Sequence, residues 1–588
     1  FKRVLMISLL KIQKWMEENN KDVLLINRTD EFLSEYIAPY AERLKWLTKF
    51  SGSAGRAIIE KNKAYIYVDG RYTNQVKQEV DKNFFEIKHL KEYWTKLEKY
   101  KKEKKIIALD ESLHSINEVN KLEEIFKFSK SSLSFLESNP IDFFWKDQPK
   151  FPNSLAFLHE EKYAGDKTIN KIKKIQYKIK QDSIDYYLLN TLDSIAWLLN
   201  IRGNDINYTP LICCYVIIPK KGKVELFIEK KKIKKIINRI DKYVNVNSFK
   251  NFKLFINKIK IQKTIGIDKK ESPYLFKKIC KDTGLKIHYL ENPCLYLKAK
   301  KNLVEIEGAK KANIRDGVTI SKFLYWLKNK IDIDKMDEIK ASQYLLALRK
   351  KNELFYSPSF ETISAFGKHA ALPHYRVSKK SNLRFKKNQI YLFDSGGQYF
   401  DGTTDITRTV IIGKPNNEQK DRFTRVLKGH IAIAVVKFPK NSKGSSIDHL
   451  ARKWLNEINC DFDHGTGHGI GSFLSVHEGP QRIAKNQGQS DGILKEGMIV
   501  SNEPGYYKEE KYGIRIENLI LCVVNGKNSL QFETISWAPI DRDLIKVSLL
   551  TKDEIDWVNN YHNKVYENLN KYLDEDERNW LYLVTKPL

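Results

Sequence analysis

The sequence predicts a multidomain chain, two tandem α/β domains followed by an α+β domain. Three observations predict it. The 588 residues exceed what one hydrophobic core supports, so about two to four domains are expected. An internal repeat sets Trp46-Leu47 before Gly52 and Trp197-Leu198 before Gly203, with identical spacing. From Leu303 the pattern turns helical, and strands rich in Ile, Val, Tyr and Phe follow.

Val4 to Met16 has helical periodicity and reads as the first helix. After Trp46 come an apolar run (Ala57 to Ile59), a polar turn and a second run (Ala64 to Val68). After Trp197 the same order recurs in Tyr215 to Ile218, Lys220 to Lys223 and Val224 to Ile228. Both units read as hairpins preceded by an amphipathic helix. Leu211 to Ile218 is too short to span a bilayer and reads as a buried strand. Pro149 and Pro152 interrupt a polar stretch and suit a linker. A second boundary falls near Lys298 to Asn302. The expected domains are therefore 1–148, 149–301 and 302–588.

In the third domain Ile320, Phe323, Leu324 and Leu327 give one apolar helix face. Strands are expected over Gln389 to Phe393, Thr407 to Ile412, Met498 to Asn502 and Ile514 to Val524. Thr551 and Glu554 have capping-box spacing before a last helix bearing Trp557 and Tyr561.

Apolar residues are 41% and charged residues 30%, as in an ordinary globular protein. The net charge is +30. The lysine runs at Lys101 to Lys105 and Lys230 to Lys235 lack interleaved aromatics. They read as a solvated surface, with neither nucleic acid nor membrane as partner. Six cysteines without a CxxC pair fit structural thiols in a reducing compartment. The first residue is Phe1, so removal of a leader is an open reading.

Asp394 ends an apolar strand, and Asp405 precedes the next one. A hairpin-like DSGGQYFDG connection would bring their carboxylates into one pocket. A carboxylate at a buried strand end needs a partner or a metal. For either aspartate alone, turn capping is the simpler account. His464 and His468 lie in HGTGHGIG, where glycines oppose a helix and allow close backbone approach. His477 follows in VHEGP. Glu503 ends another apolar run. Glu517 lies in a strand-like stretch, two residues from Arg515 on the same face, so a surface Arg–Glu pair is the plainer alternative. Asp394, Asp405, His468, Glu503 and Glu517 together form an oxygen-dominated set suited to Mn²⁺, Co²⁺ or Zn²⁺. Asp405 and Glu517 are candidates to bridge two ions, whose shared water would attack a carbonyl as hydroxide.

DSGGQYFDGTTDITRT, HGTGHGIGSFLSVHEGP, MIVSNEPGYY and YGIRIEN resemble the ordered motifs of the pita-bread metallopeptidases. The resemblance is strongest to three-domain, cytosolic-type aminopeptidase P and covers nearly the whole chain. SEYIAP and DGRY carry it in the first domain, DSIAWLLN and RGND in the second, and WVNNYH near the end. It implies two creatinase-like N-terminal domains before a pita-bread catalytic domain. It implies an Xaa-Pro aminopeptidase with two divalent ions, of which Mn²⁺ is expected. Asp394 would hold one ion, Asp405 and Glu517 would bridge, and His468 and Glu503 would complete the second site. Glu503 would accept a proton from the attacking water. His374 in ALPHY and His477 would bind the reacting group. His464, Tyr507, Arg515 and Arg71 would contact substrate. GKHAALPHY departs from the usual lead-in to the histidine. Peptides with proline second are the implied substrates, a homodimer the implied assembly, and cytoplasm the implied location, with a vacuole as the other option. Prolidase, or a non-catalytic peptide-binding module, are the competing readings.

Overall fold

The computed structural model describes residues 2–485 and 492–588, with side chains from Ile7 onward. Phe1, where the first expected domain starts, lies outside them. The chain forms two compact units: Phe1–His159 with Asp166–Leu295, and Glu160–Gly165 with Tyr296–Leu588.

The first unit contains two six-stranded sheets. The first uses β1 (Val23–Asn27), β2 (Arg56–Glu60), β3 (Ala64–Val68), β4 (Glu86–His89), β5 (Ile106–Leu109) and β6 (Ser132–Phe135) in the order β4-β3-β2-β1-β5-β6. The second uses β7 (Tyr186–Leu189), β8 (Tyr215–Pro219), β9 (Val224–Phe227), β10 (Val244–Asn247), β11 (Thr264–Ile267) and β12 (Lys286–Tyr289) in the order β10-β9-β8-β7-β11-β12. Shifted by one sheet, the two connectivities are the same. The Trp46 and Trp197 motifs therefore mark a repeated architecture. Along β1 the side chains alternate between two cores. Leu24 and Ile26 pack on one face with Leu9, Ile12 and Met16 of the helix Lys2–Glu18. Val23 and Leu25 pack on the other with Tyr65 and Tyr67. This period of two is what a covered strand requires.

Two expectations shift here. The strand foreseen from Leu211 begins only at Tyr215. Leu211 to Cys214 are buried but unladdered, because the Cys213 amide donates to Asp205 Oδ2 at 2.8 Å. Lys232, expected on a solvated surface, is fully buried and paired with Asp205 at 2.5 Å.

In the second unit the helix Leu303–Asn329 starts at a capping box between Asn302 and Glu305 and buries Ile320, Phe323, Leu324 and Leu327 as expected. A three-stranded sheet runs β13 (Ile363–Phe366), β14 (Gln389–Ser395), β15 (Ile406–Ile412). A six-stranded sheet uses β16 (Lys437–Pro439), β17 (Gly467–Gly469), β18 (Glu478–Ile483), β19 (Ile499–Asn502), β22 (Asn518–Asn525) and β23 (Ser529–Thr534). Its order is β16-β23-β22-β19-β17-β18. Between β19 and β22 stands a separate hairpin of β20 (Gly505–Lys508) and β21 (Tyr512–Arg515). The single strand expected across Ile514 to Val524 is thus broken at Ile516 and Glu517. Their amides bond Pro504 O and Thr407 O instead of continuing one ladder. The helix Lys552–Leu569 begins at the expected Thr551–Glu554 capping box, but it is not the last one: a further helix, Glu575–Val584, starts at a second capping box between Asp574 and Glu577. Among the described residues no helix is long and apolar enough to cross a membrane.

Candidate metal centre

β14 and β15 pair antiparallel, with Asp394 opposite Thr407. Asp394 and Asp405 therefore sit at the same end of two adjacent strands. Gly396 permits the tight connection, since a Cβ there would overlap Thr404 O and Ser359 Oγ. In the larger sheet, Asn502 pairs with Asn518, which places Glu503 and Glu517 one residue beyond that rung. His468 lies on β17. Gly467 beside it lets β17 close on its neighbour, because a Cβ there would overlap Ser501 O. The two sheets are joined at this point: Glu517 N donates to Thr407 O at 3.2 Å, and Thr407 Oγ1 donates to Glu517 Oε2 at 2.8 Å.

Ligand atoms of Asp405, His468 and Glu517 all lie within 4.8 Å of one another. His468 Nε2 is 3.5 Å from Asp405 Oδ2 and 3.5 Å from Glu503 Oε1. Its Nδ1 is 3.0 Å from Gly469 O. That contact favours the proton on Nδ1, so the Nε2 lone pair faces two carboxylates, an arrangement suited to an intervening cation. Asp394 Oδ1 and Asp405 Oδ1 are buried without a hydrogen-bond partner. Burial raises the Asp405 and Glu517 carboxyls well above their ordinary values, and neighbouring carboxylates add to the rise. Burial also pushes Glu503 up to about 7, with Asp394 adding to the rise and Arg515 and His477 opposing it. Crowded acids, orphaned oxygens and an imidazole lone pair share one need, positive charge among them. The residues fit divalent metal.

Arg515 is buried, not a surface partner of Glu517. Its guanidinium bonds Asp394 Oδ2 at 2.8 Å and Tyr507 Oη at 2.7 Å, and stands 4.0 Å from Glu503 Oε2. Tyr507 Oη is 2.8 Å from His464 Nε2, whose Nδ1 is 2.7 Å from Gly465 O. Arg515, Tyr507 and His464 therefore form one chain. The His477 ring is 4.2 Å from that of His468. His374 is half-buried, just after the turn Gly367–Ala371, whose Ala370 O abuts Gly513 on β21. Arg71 belongs to the first unit, where Asp69 holds its guanidinium at 2.8 Å. Thr407, Thr409 and Ser501 escaped the sequence reading. Thr409 Oγ1 donates to Arg515 O at 2.8 Å, and Ser501 Oγ to Glu503 Oε1 at 3.2 Å. The two-residue strand period puts Thr407 and Thr409 on the Asp405 face, a signal available in DITRT.

Fold and site together define a metallopeptidase class. The model for metallopeptidase family M24 matches residues 307–523, and that for its C-terminal region matches 528–588. Creatinase/prolidase N-terminal domain models match 9–137 and 147–305. A probable Xaa-Pro aminopeptidase P from Paracoccidioides brasiliensis is 35% identical, across 99% of this chain and 98% of its own. The crystal structure of X-prolyl aminopeptidase from Caenorhabditis elegans, described as a cytosolic enzyme with a di-nuclear active site, has a TM-score of 0.93 and 30% identity. It covers 99% of this chain and 100% of its own. An Xaa-Pro dipeptidase from Bacillus anthracis has a TM-score of 0.52 and 25% identity, covering 63% of this chain and 98% of its own. The chain belongs to the Xaa-Pro aminopeptidase P family, and it is a metal-dependent aminopeptidase acting on peptides.

Proposed function

We propose that this aminopeptidase releases the first residue of peptides whose second residue is proline, using two divalent ions. The convergence of four carboxylates and His468, with orphaned oxygens on Asp394 and Asp405, carries the metal reading. Full-length similarity to Xaa-Pro aminopeptidase P supports the substrate class, whereas the dipeptidase matches only 63% of the chain. A prolyl amide has no N–H and a fixed φ, which excludes it from most peptidase sites.

Asp394 would hold one ion, Asp405 and Glu517 would serve both, and His468 and Glu503 would complete the other. Mn²⁺ is the proposed ion, because oxygen donors dominate. Bound ions would polarise the scissile carbonyl and lower the pKa of water. Glu503 accepts the proton from the attacking water. His477 and His374 donate to the oxygen that gains charge. Arg515 fixes Asp394 and, through Tyr507, orients His464 toward the substrate. Arg71 keeps a substrate-binding role on resemblance alone.

The domain division at 1–148, 149–301 and 302–588 is supported by the two six-stranded sheets. A homodimer rests on the family resemblance. A cytoplasmic location is supported by six cysteines without a disulfide among the described residues. Burial pushes the thiols of Cys214, Cys280 and Cys522 up to about 12, as inert structural thiols require.

A peptide panel with added Mn²⁺ tests the reading. Xaa-Pro-Pro should lose its first residue, and Xaa-Ala-Pro should be cut far more slowly. Cleavage of the Xaa-Pro dipeptide with an intact tripeptide would assign a prolidase instead.

A further inference from the structure

We propose that the helix Lys552–Leu569 positions Glu503 and Glu517, with Tyr561 as the positioning residue. The inference rests on the metal-centre reading above.

Both glutamates lie just beyond the rung Asn502–Asn518, so whatever fixes that rung fixes their spacing. Arg408 stands behind Glu517 on the face of β15 opposite Asp405. Its guanidinium is fully buried. Among the described residues no carboxylate lies within ion-pair distance of it. Its donors instead meet neutral oxygens: Glu517 O at 2.6 Å, Thr407 O at 2.9 Å, Asn518 Oδ1 at 2.8 Å, Ala538 O at 2.9 Å, Pro539 O at 3.1 Å and Tyr561 Oη at 2.8 Å. A buried cation held only by dipoles is stable when every donor is placed. Each of those dipoles is thereby held in register.

Tyr561 joins this cluster to the helix Lys552–Leu569. Its hydroxyl accepts from Arg408, accepts from Ala538 N at 3.2 Å, and lies 2.9 Å from Ala538 O. A second arm comes from the same helix. Trp557 stacks parallel on Tyr561 at 5.4 Å and packs edge-on against His430 at 5.9 Å. His430 grips both sides of the rung: its Nδ1 is 3.0 Å from Asn502 O, and its Nε2 is 3.2 Å from Asn518 Nδ2. Asn502 Nδ2 returns a bond to His430 O at 2.8 Å. Burial pushes the His430 imidazole down to about 3, so it grips as a neutral donor–acceptor. One helix thus touches the rung from two directions and reaches the Glu517 carbonyl through a single guanidinium. Groups hydrogen-bonded directly to metal ligands commonly set metal affinity by about 10- to 100-fold, and Tyr561 acts one step further back, through Arg408.

The test uses the full chain, stripped of metal with chelator and titrated with Mn²⁺ alone by calorimetry. Tyr561→Phe keeps the ring stack and removes the hydroxyl. Val558→Ala, in the fully buried core on the same helix, serves as the purely structural control. Tyr561→Phe should weaken Mn²⁺ binding about tenfold. Val558→Ala should lower the Tm of the metal-free protein and leave Mn²⁺ affinity near wild type. Wild-type affinity in Tyr561→Phe, or equal weakening in both variants, overturns the positioning role while leaving the metal centre standing. A wild-type chain that binds no Mn²⁺ overturns both.

Discussion

Buried charge is handled in opposite ways around Asp205 in the first unit and at the metal centre in the second. In the first, the buried carboxylate of Asp205 meets a buried cation one to one. Asp205 takes Lys232 at 2.5 Å along with Ser154 and Cys213 amides, and Arg43 is held by Asp142 at 2.8 Å. In the second, Asp394, Asp405, Glu503 and Glu517 converge while Arg515 is the cation among them. Balanced burial is structural, because each partner offsets the desolvation of the other. Unbalanced burial needs either a full set of dipoles, as around Arg408, or a ligand to complete it. The missing charge, more than the presence of acids, marks the reactive region.

Breaking the unbalanced cluster has the largest expected effect. Asp405→Ala should lose bound metal and lower kcat by more than about a thousandfold, because in the proposed assignment this ligand would serve both ions. Metal analysis and peptide hydrolysis check this, and an active, metal-replete variant would refute the ligand assignment. The matched change in the balanced region is Asp205→Ala. It should cost about 3–5 kcal/mol of stability by stranding Lys232 while leaving metal content unchanged, as read by denaturant unfolding and metal analysis.

His477→Gln should keep the metal and reduce kcat by about a hundredfold if its ring donates to developing charge. An unaltered kcat would remove it from that role. The pH dependence of the metal-free protein sharpens the contrast further. Glu503 rises from 4.5 to about 7 on folding, so the folded state holds more protons than the unfolded state across that window. Stability should therefore fall as pH rises from about 5 to about 7, and Mn²⁺ should reverse the loss. Melting of chelated protein across this range reads the effect, and a Tm that climbs would contradict the shift. Tyr507→Phe should be mildest, at about 1 kcal/mol. It removes one link between Arg515 and His464, and a severalfold drop in kcat/KM is expected.

Much of this was legible beforehand because it is local. Apolar runs and their glycine-rich ends exposed the strand that ends near Asp394 and the one that follows Asp405, and the capping residues exposed the helix Lys552–Leu569. The repeat around Trp46 and Trp197 anticipated two sheets of one topology. Other features resisted reading for a physical reason. Lys232 is one lysine in a run of similar ones, and only its pairing with Asp205 takes it inside. Glu478 gathers Lys298 and Lys301 into the interior, although lysine is ordinarily exposed. Arg515 looked like a surface partner of Glu517 because strand alternation assumes an unbroken strand. The ladder breaks between them, since the Glu517 amide finds Thr407 O on the other sheet.

By itself the sequence determined the chemistry on offer: hard donors at strand ends, glycines where backbones must approach, and a repeated hairpin module. Those properties depend on residues a few positions apart, and short-range sterics and periodicity suffice to specify them. Tertiary structure alone decided which carboxylates share a pocket, which lysines give up water, and that Tyr561 reaches Arg408 behind Glu517. Such outcomes depend on register between distant strands and on burial, where the cost of desolvating a charge is set by neighbours that chain order does not supply.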